Sequence, residues 1–83
     1  MTEEQRNVLA DYLLDLGAAV KQRAYEAREE KRAATETGDT AYQIGRLMAF
    51  NEVVTIMQLQ ADAFGIPRTA LSLEDVEPDK DLI

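Results

Sequence analysis

Between Thr40 and Phe64 the chain carries only three charged side chains, Arg46, Glu52 and Asp62. The rest is dominated by Leu, Ile, Val, Met, Phe and Ala, over a length that suits a helix better than a strand. At about 100° per residue, Leu47, Phe50, Val53, Val54, Met57, Ala61 and Phe64 form one broad stripe. Tyr42, Ala49 and Ile56 widen it, and Ile44, Met48 and Leu59 lie outside it. A helix apolar over more than half its circumference must be covered on more than one side.

The preceding segment supplies one cover. Leu9, Tyr12, Leu13, Leu16, Val20, Ala24, Ala27 and Ala34 recur at steps of three and four, with Glu4, Asp11, Asp15, Gln22 and Glu29 opposite. Thr2 and Gln5 have capping-box spacing and mark its start. Gly17 interrupts the run without changing its phase, so one helix is read over about 2–36. Thr37-Gly38-Asp39-Thr40 supplies the turn, and Thr40 with Gln43 suggests a second capping box. Phe64-Gly65-Ile66-Pro67 ends the second helix: a left-handed glycine, an apolar residue that packs back, and a proline that forbids continuation.

These signals predict an all-α chain, a two-helix antiparallel hairpin (about 2–36 and 40–64) with a short C-terminal tail. The domain reading is a helical hairpin over 1–66 and a loosely ordered acidic tail over 67–83. The remaining cover of the second helix is then either a second copy of the chain or the tail, through Leu71, Leu73 and Val76. A homodimer forming a four-helix bundle is expected, with Leu47, Phe50, Val53, Val54, Met57 and Phe64 as the interface. Small residues on both sides of the turn, Ala24, Ala27, Ala33 and Ala34 against Ala41, Gly45 and Ala49, predict close helices there. On that reading Gly45→Leu disrupts the fold.

The chain has 83 residues and neither Cys nor His. A core this small is marginal by itself, and disulfides and the usual zinc sites are excluded as supports. Nucleophile–imidazole pairs are excluded as well. The carboxylates Glu26, Glu29, Glu30, Glu52 and Asp62 have no metal-ligand spacing, and no glycine-rich phosphate loop exists. No enzyme, metal or cofactor is expected. The formal net charge is −7, which disfavours direct binding to nucleic acid. The first residues, Thr2-Glu3-Glu4-Gln5, do not read as a secretory signal, and no stretch has the length of a membrane span. A cytoplasmic protein is expected.

Three further patterns stand out. Leu14, Ala18 and Tyr25 form a weaker apolar stripe on the polar side of the first helix, with Leu14 and Tyr25 as a candidate partner surface. Lys21, Arg28 and Arg32 form a basic strip. Thr40, Asn51, Thr55 and Gln58 form a polar strip that either faces water or sets register against another helix. The functional expectation is a non-catalytic protein–protein interaction module acting as a homo-oligomer. The alternatives are an acidic inhibitor, mimicking nucleic acid at a partner enzyme's basic site, and a bundle holding a small apolar ligand near Met48 and Met57.

Overall fold

The computed structural model describes residues 1–38 and 40–83; Asp39, in the expected turn, lies outside the described residues. Helix α1 runs Glu3–Thr35 and helix α2 runs Ala41–Ala63, packed on each other as a hairpin. A 3-10 turn, Arg68–Leu71, and a one-turn helix α3, Pro78–Asp81, follow. No strand is present among the described residues.

The local signals account for the ends of the helices. The Thr2 hydroxyl accepts from the Gln5 backbone N–H, and the Gln5 side chain accepts from the Thr2 N–H, so both halves of the first box form. The second box does not: Thr40 makes no side-chain cap. At the end of α2, Gly65 has φ +69°. The Ile66 N–H donates back to the Ala61 carbonyl and the Gly65 N–H to Asp62, closing the helix as a Schellman motif.

The expected loose tail is corrected. Residues 67–83 lie along one side of the hairpin, with the 3-10 turn on α1 and α3 on α2. The buried apolar core consists of Ala24 and Ala27 from α1, Leu47, Val54 and Ala61 from α2, and Leu71, Leu73, Val76 and Leu82 from the tail. Four of nine core residues thus come from the segment expected to be loose. At about 1.5–3 kcal/mol for each fully buried side chain, this burial rivals the whole net stability of a small domain. The burial of Leu71, Leu73 and Val76 follows the alternative in which the tail covers the second helix; Leu82 joins them.

The expected tight contact at Gly45 is also corrected. Space around Gly45 is open, and a Cβ there would touch nothing. Ala41, Gly45 and Ala49 are exposed. α2 is instead turned so that Leu47 and Val54 reach the small Ala24 and Ala27 in a common core. Large side chains filling space beside small ones satisfy dense packing better than two small faces would. The close approach falls at Gly17, where a Cβ would lie 1.6 Å from the Leu71 carbonyl oxygen.

Candidate interaction surface

Along α2, Leu47, Asn51, Val54, Gln58 and Ala61 share a face at steps of four and three. That face holds the tail. The Gln58 amide is buried and donates to the carbonyls of Leu73 (3.0 Å) and Val76 (2.7 Å). The Asn51 amide donates to the carbonyls of Pro78 (2.8 Å) and Leu82 (3.3 Å). Irregular backbone buried on a helix needs donors for its carbonyls, and these two amides provide them. Two members of the polar strip, Asn51 and Gln58, therefore register the chain's own tail, while the Thr55 hydroxyl donates to Asn51.

Ion pairs fasten the same segment at its edges. Lys21 Nζ lies 3.1 Å from Asp75 and holds its carboxyl below the usual carboxylate range. Asp62 accepts two bonds from Arg68, which likewise lower its pKa, chiefly through the hydrogen bonds. Arg28 lies over the Tyr25 ring at 4.6 Å and donates to the Asp81 carbonyl. Its Nε is buried without an acceptor. Arg46 pairs with Glu30 across the hairpin.

These contacts redistribute the candidate sites. Leu47 and Val54 are sealed inside the chain, at 1% and 0% exposure, and cannot form an interface. Phe50 and Met57 are half-buried against the core. Val53 and Phe64 are open, Phe64 at 77%. Leu14 is exposed, but Tyr25 is half-buried against the core, and burial together with Asp81 and Asp75 raises its pKa. Of the basic strip, Lys21 and Arg28 are engaged by the tail, whereas Arg32 pairs with Glu29.

What stays open is apolar. With α1 and the tail in place, Tyr42, Ile44, Met48, Val53, Ile56, Leu59 and Phe64 of α2 and its cap remain exposed. Only Glu52 on the outer side of α2 is charged and outside the ion pairs of the described residues. A second open region lies on α1. It has ten more residues than α2, so its first three turns project past the end of the hairpin. Val8, Leu9 and Tyr12 are exposed there. At the junction, Leu13, Ile56, Met57, Phe64 and Ile66 line an apolar notch of about 290 Å³.

No protein-family model, curated protein or solved structure matches the chain. No group of three or more potential metal-ligating side chains occurs among the described residues. Among the described residues no helix is long and apolar enough to cross a membrane.

Proposed function

We propose that the protein is a non-catalytic interaction module that acts as a homo-oligomer. One observation carries this reading: the apolar side chains still exposed on α2 after both of the chain's own covers, α1 and the tail, are in place. Seven of these side chains, from Ile44 at 39% to Phe64 at 77%, stay exposed around the outer side of α2. Monomers seldom leave apolar area of that extent uncovered.

The surface differs in composition from the expected one. It uses the outer residues of α2, such as Tyr42, Met48, Ile56, Leu59 and Phe64, in place of Leu47 and Val54. Light scattering after size exclusion at roughly 1–100 µM, which detects association of about −5.5 to −8 kcal/mol, is expected to give a mass above that of one chain. A single-chain mass throughout that range overturns the reading. Of the other two functional readings, neither gains a specific observation. Asp75 and Asp62, among the acids, are already paired within the chain, and Met48 points outward at 64% exposure.

A further inference from the structure

The end of the tail faces the last turns of α1 across a hollow of about 310 Å³. Arg28 and, three and four residues on, Lys31 and Arg32 share one ridge of α1 and line it. Lys80 lines it from α3, which Asn51 and the buried Leu82 fix against α2. The acid in the lining, Asp81, is turned to the start of α3, where its carboxylate accepts from the Glu77 N–H at 2.9 Å. A second hollow, of about 330 Å³, is walled by Ile44, Leu47 and Met48 of α2 and by Leu82. Lys31 and Ile83 line both, so the basic hollow and the apolar one adjoin.

We infer that the two hollows together bind a single-chain amphiphile with a carboxylate head, as in a fatty acid. The inference does not depend on self-association, and the ligand lies at the surface beside the tail, not enclosed between the helices. The charge balance selects the head. Arg32 and Arg28 share Glu29, at 2.9 and 3.6 Å, and Lys80 has Glu77 at 3.7 Å. Lys31 has no ion pair among the described residues. Set against Glu29, Glu77 and Asp81, the four cations keep a surplus of one. A monoanion neutralises that surplus, and a phosphate dianion exceeds it. Arg28 is also incompletely satisfied: one terminal nitrogen reaches the Asp81 carbonyl at 3.4 Å, and its Nε has no acceptor.

The apolar half is needed for a different reason. The whole chain carries −7, and its field repels anions from solution. A bare ion gains little from one surplus charge on a partly exposed surface. A hydrocarbon chain laid between the exposed Ile44 and Met48 adds the removal of apolar surface from water. Lys31 joins the two halves, since a lysine lays its stem on apolar surface and keeps its ammonium at the polar edge. A mostly apolar hollow with a few convergent polar groups is the usual form of a small-molecule site.

The test uses octanoate, octanol and inorganic phosphate as probes, followed by amide NMR of the full chain below the micelle-forming concentration of octanoate. Octanoate is expected to shift the amides of Lys31, Met48 and Leu82 saturably, octanol to bind at least tenfold more weakly, and phosphate to leave Met48 and Leu82 unshifted. Lys31 is outside the core, so Lys31→Gln leaves the fold intact. It is expected to weaken octanoate at least tenfold and leave octanol unchanged, and Lys31→Arg, which keeps the charge, to retain octanoate binding. Met48→Gln is expected to weaken octanoate and octanol alike. Equal binding of octanoate and octanol, octanoate binding indifferent to Lys31→Gln, or shifts centred on the notch at Phe64 in place of Met48 overturn the proposal. Phosphate binding as strongly as octanoate also overturns it, leaving a site for free oxyanions only.

Discussion

Gly17 of α1 lies directly against the backbone of Leu71, with no room between them for a methyl group. The contact lets the 3-10 turn sit on α1 and sends Leu71 into the core. It also explains why a residue that costs a helix interior about 1 kcal/mol stands in the middle of a long helix. Gly17→Ala is therefore expected to destabilise the protein by about 3 kcal/mol, the upper end for overpacking, because backbone cannot step aside as a side-chain tip can. Gly45→Ala is expected to act oppositely, raising the melting temperature by about 4–8 °C for a gain near 1 kcal/mol. Denaturant and thermal unfolding of the two variants measure both; equal effects would remove the distinction between them.

Gln58 holds two carbonyls of the tail that have no water to turn to. Gln58→Leu keeps the volume and removes both donors. A loss of about 2–4 kcal/mol is expected, since each unsatisfied buried carbonyl costs on the order of 1–3 kcal/mol. Hydrogen exchange should show the tail amides, Leu73 and Leu82 among them, losing protection ahead of those in the middle of α1. Uniform loss along the chain would show that the tail does not open as a separate unit.

Leu73 is fully buried at 0% exposure and sits in a segment with no regular secondary structure. Leu73→Ala is expected to cost about 2–5 kcal/mol, as for a leucine in any packed core. Truncation after Pro67 should go further, baring Leu47 and Val54 and raising the binding of a hydrophobic dye. A truncated chain as stable as the full one would reduce the tail to a passive covering.

Acid should release the tail's edge. The hydrogen bond from Lys21 lowers the pKa of Asp75, and those from Arg68 lower that of Asp62. For a carboxyl depressed in the folded state the stabilisation is complete above its unfolded pKa, near 4. It fades as the pH falls through the folded pKa. Stability is thus expected to drop below pH 4, and Lys21→Met to flatten part of that drop. Carboxyl-carbon NMR of Asp75 reads its titration directly, and should show it move upward in the Lys21 variant.

Alkali should act through Tyr25. Its phenol is raised first by burial, then by Asp81 and Asp75. Below about pH 10 the group is neutral folded or unfolded and contributes no pH dependence. Above that the unfolded chain ionises first, so stability falls as the pH rises through the folded pKa. In a chain carrying Tyr12→Phe and Tyr42→Phe, ultraviolet absorbance reports Tyr25 alone, and its ionisation midpoint is expected above 10. Adding Tyr25→Phe should remove the alkaline loss.

The sequence by itself determined both long helices and most of their ends. Their signals are local: steps of three and four, the reciprocal Thr2–Gln5 cap, and the Gly65–Ile66–Pro67 stop act within a few residues of where they are written. It also determined that α2 needs more cover than α1 supplies, because the count of apolar side chains around a helix does not depend on the partner. The rotation of α2 could not be read, since Leu47 and Gly45 offer equally plausible inward faces until the partner is known. The place of the tail could be read only as one of two alternative covers, with a second copy of the chain preferred to it. Leu71, Leu73, Val76 and Leu82 have no period of their own, and their burial depends on donors from Asn51 and Gln58, distant in sequence. Only tertiary structure decided that Gly17 is the close contact, that Leu47 and Val54 are sealed, and that the open apolar surface lies on the outer side of α2 and the projecting start of α1. Those outcomes depend on which backbones meet, and non-local contact leaves no mark in a local pattern.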